Sequence, residues 1–290
     1  LITPIALGPH IDYQYGESGR NYPYGASISV HDGSDIVLLD ASLGATRPTA
    51  DLLLLSHYHE DHVVSASTAA ADIAVHELDL PAVQSWAGYM KHVGLDPGEW
   101  ESALQSDFHW SPLPHATAFG SDAVFDVGAR TRIRVIPLPG HTPGHCGFLV
   151  EPDDVLYLAD VDLSSFGPFY GDRSSSLKDT RASLARCAAI EARVYLTFHH
   201  KGPYTVRSEF LAALADYIAV LDQRADRVID LLGKGPRSAA NLVGHGVIYR
   251  PGRRPGFADE MEARMCQLHL DDLVDRGQAL KADGDLYELA

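Results

Sequence analysis

Cysteine is scarce in this chain. There are three, Cys146, Cys187 and Cys266, an odd number with no Cys-x-x-Cys pair. That argues against a disulfide framework and against a cysteine-held zinc site, and it makes a reducing cytoplasm the default compartment. Long hydrophobic runs are also missing. No stretch approaches ~18 uninterrupted apolar residues, so no transmembrane helix and no membrane association are expected. Residues 1–13 lack a basic segment followed by an apolar run and do not read as a signal peptide. Positive charge is short: 23 Lys and Arg stand against 39 Asp and Glu, a formal net charge of −16. Nucleic acid is therefore a disfavoured partner, because neutralising phosphates needs clustered Lys and Arg.

The chain has 290 residues, 46% of them apolar and 21% charged, enough for one large domain or one domain with a small companion. Fifteen histidines are the unusual feature of the composition, and their placement carries the chemistry. Short apolar runs punctuated by Gly, Asp and Pro predict strands at 26–30, 35–40, 52–55, 73–76, 131–137, 146–150, 155–159 and 194–198. Helical patterns fall between them, at 61–70, 81–92, 98–105 and 177–190. Some strand runs are continuously apolar, as in strands covered on both faces. The mixture predicts a layered α/β (α+β) architecture.

Two stretches stand apart. Residues 81–120 hold Trp86, Tyr89, Trp100, Phe108, Trp110 and Phe119, with His92, His109 and His115. This reads as a helical insertion, forming either a satellite hydrophobic cluster or a lid over a site. After Val206 come one or two helices over 208–232, a Gly-, Pro- and Arg-rich segment, a helix over 260–276 and two short strands. Helix, helix and hairpin is a winged-helix-like order. The expected division is a catalytic domain over 1–207 and a small C-terminal helical, winged-helix-like domain over 208–290.

Four apolar strands each end in a metal-ligating residue type. The run from Leu52 to Leu55 ends in Ser56-His57-Tyr58-His59-Glu60-Asp61-His62. In extended chain His57 and His59 point the same way and can share one metal; a helix starting next would project Asp61 and His62 toward a second. Imidazole and carboxylate suit zinc, iron or manganese. The segment Gly140-His141-Thr142-Pro143-Gly144-His145 follows the strand 131–137. It presents His141 as a further ligand of the first metal, with His145 supporting the turn. Leu156-Tyr157-Leu158-Ala159 ends in Asp160, whose two oxygens can bridge two metals. Asp162 competes, since it points the same way if the chain stays extended. Val194-Tyr195-Leu196-Thr197-Phe198 ends in His199 and His200, and His199 is preferred because it directly follows the strand. Sites in layered α/β folds gather at the carboxyl ends of strands.

These motifs resemble those of the metallo-β-lactamase superfamily. His57, His59, Asp61 and His62 match its His-x-His-x-Asp-His signature, and His141 matches the His of its Gly-His-Thr-x-Gly motif. Asp160 and His199 match its bridging acid and last ligand, although Ala159 and Phe198 stand where Gly is usual. The resemblance runs from about Gly8 to Pro203. It implies an αββα sandwich with two divalent metal ions at one edge, most often zinc, in some branches iron or manganese. The tail resembles the winged-helix-like tail of relatives of β-lactamase-like protein 2, which cut single-stranded RNA.

The expected activity is binuclear metal-dependent hydrolysis of a small ester, lactone or thioester, by a hydroxide held between the metals. Asp61 is the expected catalytic residue, orienting that hydroxide or carrying its proton. Tyr58, Phe166, Phe169, Tyr170 and His200 are the expected substrate-pocket residues. An endoribonuclease acting on single-stranded RNA is the alternative. Against it, residues 224–290 hold ten basic and eleven acidic side chains, with one small cluster at Arg250, Arg253 and Arg254. A di-iron oxidoreductase and a non-catalytic binding protein are readings of another class. Winged helices also serve as homodimerisation modules.

Overall fold

The computed structural model describes residues 4–14, 21–43, 49–95, 97–107, 110–250 and 258–290. Phe108 and His109 of the insertion, and Arg253 and Arg254 of the basic cluster, lie outside the described residues.

Among the described residues, seven strands form the first sheet, in chain order: β1 (Ile5–Gly8), β2 (Ile11–Gln14), β3 (Ser27–Asp32), β4 (Asp35–Leu39), β5 (Ala50–Leu55), β6 (Ala70–His76) and β7 (Thr117–Phe119). The second sheet is built from β8 (Val124–Val127), β9 (Thr131–Pro137), β10 (Cys146–Glu151), β11 (Val155–Tyr157) and β12 (Val194–Leu196), in the order β12-β11-β10-β9-β8. Strands β4 to β7 run parallel to one another, as do β11 and β12.

Side-chain alternation sorts the core into layers. In β5, Leu54 points between the sheets, while Leu53 and Leu55 point outward into a cluster with Tyr89, Val93 and Trp110. That is why β5 reads as a continuous apolar run: both of its faces are covered. Ile28, Val37 and Leu54 meet Ile133, Phe148, Tyr157 and Leu196 across the inter-sheet layer. Each such fully buried side chain contributes ~1.5–3 kcal/mol relative to exposure. Strand β9 has one exposed face, and accordingly alternates buried Thr131, Ile133 and Val135 with exposed Arg132 and Arg134.

Helices α1 (Glu60–Val63), α2 (Ala66–Ala69), α3 (Leu80–Gln84), α4 (Trp86–Val93) and α5 (Pro97–Asp107) cover the first sheet. The helix expected at 61–70 is two short pieces separated at Ser65. The expected insertion at 81–120 ends early, because Thr117–Phe119 is β7, paired in parallel with β6. Its helices form the hydrophobic cluster on the sheet, with Trp110 2% exposed, and do not stand free as a lid. Ser85 caps α4 by accepting from the Gly88 N–H, and Gly94, at φ +77°, terminates it.

The second sheet is covered by α6 (Leu177–Ala189), α7 (Arg207–Leu232) and α9 (Ala258–Asp275). The α7 helix is a single one of 26 residues. A short α8 (Ala239–Leu242) precedes α9, and the hairpin β13 (Ala279–Lys281) with β14 (Tyr287–Leu289) follows it. The tail shares a core with the catalytic part: Leu156, Leu158 and Tyr195 pack with Phe210, Leu214 and Leu221 of α7 and Leu270 of α9. The result is an αββα sandwich. All three cysteines are free and buried. No helix among the described residues is long and apolar enough to cross a membrane.

Candidate metal centre

The ends of β4, β5, β9, β11 and β12 meet at one edge of the sandwich. Residues His57, His59 and His141 gather there with Asp160, and Asp61 and His62 gather with His199; within each group the ligand atoms lie within 4.8 Å of one another. Asp160 faces both groups. Its Oδ2 is 3.3 Å from His141 Nε2 and 3.9 Å from His57 Nε2, and its Oδ1 is 2.9 Å from His62 Nε2 and 3.8 Å from His199 Nε2.

The local chain explains the convergence. Strand β5 is extended to its end, so His57 and His59 share a side. His59 is still extended as the residue before α1, and α1 then carries Asp61 and His62 in one turn. Ala159 takes φ +48°, which ends the extended run just before Asp160. Asp162 therefore does not follow Asp160 into the centre; it accepts the Ser164 N–H at 3.0 Å. His200, at φ +53°, is exposed, 3.2 Å from Asn21 Oδ1 and 3.9 Å from Asp162, and takes no part in either group. His145 donates from Nδ1 to the Leu138 carbonyl and accepts the Asp160 N–H, bracing the turn. Burial, with His141 beside it, pushes its pKa down to about 3, which keeps it neutral.

The imidazoles are oriented from outside. The Nδ1 of His57 donates to Ser56 Oγ at 3.0 Å, that of His62 to Asp40 at 2.9 Å, that of His141 to the Phe169 carbonyl at 2.9 Å, and that of His199 to the Tyr24 carbonyl at 3.0 Å. The Ser56 hydroxyl donates its own proton to Asp40, so it too is an acceptor toward His57. Each Nδ1 is therefore engaged by an outer acceptor, and each Nε2 is the nitrogen left to face the centre. His59 is reversed: its Nε2 donates to Asp172 Oδ2 at 2.7 Å, leaving Nδ1 for the shared space.

This donor set fits cations. His57 Nε2 and His141 Nε2 are 3.2 Å apart, and two lone pairs at that distance repel unless a positive charge lies between them. Asp61 Oδ2 is buried and 2.8 Å from His199 Nε2 without an aligned hydrogen bond. The electrostatics differ across the centre: one imidazole is kept neutral, and another takes a proton that a cation would displace. Burial and the neighbouring His62, His59 and His141 hold His57 well below its ordinary value. Burial alone would raise Asp160, but His62, His199 and His141 outweigh it and hold the carboxyl well below the usual range. Burial lowers His199, and Asp160 and Asp61 overcome that to bring it to about 9.

Two carboxylates absent from the expected ligand set complete the centre. Asp40, directly after β4 and fully buried, accepts four donors. The Ser56 N–H reaches Oδ1 at 2.7 Å; the Ser56 and Tyr157 hydroxyls and the His62 Nδ1–H reach Oδ2 at 2.7, 2.5 and 2.9 Å. An acid ending the apolar run Ile36-Val37-Leu38-Leu39 is the same signal that marks Asp160. Asp172 accepts from His59 and from the Tyr58 hydroxyl.

The expected pocket residues separate. The Phe169 ring lies 5.8 Å from that of His141 and 6.2 Å from that of His59, beside the first group. Tyr58 and Tyr170 are completely buried and cannot wall an open pocket. Tyr58 supports Asp172, and Tyr170 faces Arg224 and His269 of the tail. Phe166 packs beneath Arg224, 5.5 Å from Tyr249, on the tail side. Opposite Phe169 stands a residue that sequence reasoning missed. Tyr22 is 47% exposed, its ring is 6.3 Å from that of His199, and its hydroxyl donates to Glu60 at 2.7 Å. Tyr89 donates to the other Glu60 oxygen at 2.7 Å.

Two packed sheets with a histidine–aspartate centre along one edge define a hydrolase of the metallo-β-lactamase fold. The chain belongs to the metallo-beta-lactamase superfamily, whose sequence profile matches residues 29–200. It is 23% identical over 255 residues to a protein of Shewanella oneidensis named hydroxyacylglutathione hydrolase, covering 85% of each chain. Among solved structures it resembles a metallo-beta-lactamase family protein from Thermus thermophilus, with a TM-score of 0.72, 22% identity, and coverage of 98% of this chain and 100% of the other. A beta-lactamase domain protein from Burkholderia ambifaria gives a TM-score of 0.71 at 19% identity, over 99% and 93% of the two chains.

Proposed function

We propose that this chain is a binuclear metal-dependent hydrolase acting on a small ester, lactone or thioester. The observation that carries the reading is Asp160: one carboxylate oxygen faces His57 and His141, the other faces His62 and His199. In this reading His57, His59 and His141 hold the first cation, Asp61, His62 and His199 hold the second, and Asp160 is shared. Imidazole and carboxylate donors without thiolate favour zinc and also suit iron or manganese. Such cations lower the pKa of water to near neutrality and polarise the reacting oxygen.

The chain's own groups supply the rest. Asp61 Oδ2, the buried oxygen without an aligned donor, orients the attacking water and takes its proton. The Nδ1 anchors keep the imidazole lone pairs directed inward throughout the reaction. Phe169 and Tyr22 flank the two groups and supply apolar walls suited to an acyl substrate. The likeness to a protein named hydroxyacylglutathione hydrolase supports an acyl bond as the target. The tail's order of helices and hairpin supports a winged-helix-like module, and the three free thiols suit a reducing cytoplasm.

The test is metal content measured together with a panel of a lactone, a thioester, a phosphodiester and single-stranded RNA. Two equivalents of transition metal are expected, with lactone or thioester hydrolysis that disappears on chelation and in Asp61→Ala and His57→Ala. Absence of transition metal, or normal turnover in both variants, overturns the proposal. Metal-dependent, salt-sensitive cleavage of the RNA alone replaces the acyl substrate with a ribonucleolytic one.

A further inference from the structure

Residues 161–176 connect Asp160 to α6 without helix or strand, so no ladder of backbone hydrogen bonds fixes them. Yet this strap orients two of the three imidazoles of the first group. The Phe169 carbonyl accepts from His141, Asp172 accepts from His59, and Ser175 Oγ donates to the His141 carbonyl at 2.7 Å. Those atoms are only as well placed as the strap's backbone.

The end of the strap beyond Asp172 is held by the sandwich, where the Arg173 and Ser174 N–H groups donate to the Val93 and His92 carbonyls of α4 and the Ser176 N–H to the Gly140 carbonyl. The stretch from Phe166 to Gly171 is held from the tail. Arg224 of α7 is 1% exposed. One guanidinium nitrogen, Nη1, donates to the Pro168 carbonyl at 2.6 Å and to the Tyr170 hydroxyl at 3.0 Å; the other, Nη2, donates to the Phe166 carbonyl at 2.6 Å. The Phe166 and Tyr170 rings lie 5.0 and 5.4 Å from its central carbon. Among the described residues it makes no ion pair. Burying a charge is costly unless its donors are satisfied, and here the strap's oxygens do that. The planar fork grips the carbonyls on either side of Gly167, which turns the chain at φ +83° just before Phe169. Tyr170 in turn hydrogen-bonds His269 of α9 at 2.7 Å, and Arg264 of α9 donates to the Gly171 carbonyl at 3.2 Å, next to Asp172.

We infer that Arg224 is a positioning residue for the first metal position: it clamps residues 166–170 of the strap from the tail and thereby fixes the Phe169 carbonyl that aims His141, while Asp172, which aims His59, is held from α4 as well. The inference rests on the binuclear reading. It makes the C-terminal segment part of the centre and predicts that a tail substitution loosens one cation and spares the other.

The test uses the full chain carrying Arg224→Met, which keeps the length and removes the charge, and Arg224→Lys, which keeps the charge and removes the fork. Each cation's affinity is measured by competition with a chromophoric chelator, and the cobalt-substituted protein gives the ligand-field spectrum. Leu242→Ala, in α8, shares the tail's core but makes none of the strap's hydrogen bonds, and is the control for tail destabilisation alone. The expected result is a ~10–100-fold weaker first cation in both Arg224 variants, as for lost outer partners elsewhere, with a changed cobalt spectrum and the second cation unchanged. Leu242→Ala is expected to lower the melting temperature with both affinities intact. Wild-type affinities in folded Arg224 variants, or equal weakening of both cations, overturns the inference. If Arg224→Met does not fold, Arg224→Lys carries the test. A wild-type protein that binds fewer than two cations overturns the binuclear reading itself, and that is seen before any variant is made.

Discussion

The two halves of the centre use the same donor types and are held in different ways. Around Asp61 and His62 the outer partners stand at strand ends, and the Tyr24 carbonyl of the loop before β3 serves His199. Asp40 follows β4, Tyr157 ends β11, Ser56 follows β5, and Phe198 stacks on His62 at 3.7 Å. In the first group His57 is likewise held at a strand end, by Ser56, but the partners of His59 and His141 belong to the strap and, through Arg224, to the tail. Sheet-borne precision comes with the fold. Strap-borne precision depends on contacts 54–58 residues away in sequence, and can be altered without touching the sandwich.

The largest effect is expected where the halves join. Asp160→Ala removes the carboxylate that the halves share, so both cations should weaken and hydrolysis should fall to background, read by metal content and turnover. Retention of one tightly held cation with measurable turnover would show that the halves are independent.

Next come the two outer carboxylates, which differ in a way that Asn substitution exposes. Both Asp40 oxygens take donors, so Asn must turn its NH2 group against another donor. Asp40→Asn should weaken the second cation ~100-fold through His62, weaken the first less through Ser56 and His57, and cost roughly 3–5 kcal/mol of stability. Asp172 takes its side-chain donors on Oδ2 alone, and Oδ1 is buried without a partner. Asn can keep its carbonyl at Oδ2, so Asp172→Asn should weaken the first cation only ~10-fold. Chelator competition and urea unfolding measure both; equal effects would remove the distinction between sheet-borne and strap-borne support.

How legible each half was follows from the range of its interactions. His57, His59, Asp61 and His62 are readable because strand alternation and one helical turn act over a few residues. Alternation failed at Asp162, since it assumes extended chain and Ala159 leaves that region. Asp40 carried a readable signal, an acid ending an apolar run, but its importance appears only once β4 lies beside β5. Asp172 and Arg224 had no local signal: their partners are 113–114 and 54–58 residues away, and nothing periodic marks them. Strands β1, β7 and β8 are short and lie at sheet edges, where half-exposed chain has weak apolar patterning.

The smallest effect on the metals is expected at Asp79, which holds the His141 loop from behind. Its carboxylate accepts the Thr142 hydroxyl at 2.6 Å and the Gly144 N–H at 2.7 Å. Burial nevertheless raises its pKa from 3.8 to about 6. The folded state therefore binds this proton more tightly than the unfolded chain does. The stabilisation is complete below pH ~4 and is lost as pH rises through ~6, a change of at most about 3 kcal/mol. In Asp79→Asn the carbonyl still accepts from Gly144, and the Thr142 hydroxyl can accept from the new amide. The variant should thus lack this slope: its stability relative to wild type should rise between pH ~4 and ~6 and level off above. Urea unfolding across that range, taken as the difference between the two proteins, isolates Asp79 from the other titrating groups. A difference independent of pH would mean that Asp79 is ionised throughout, and that its two hydrogen bonds outweigh its burial.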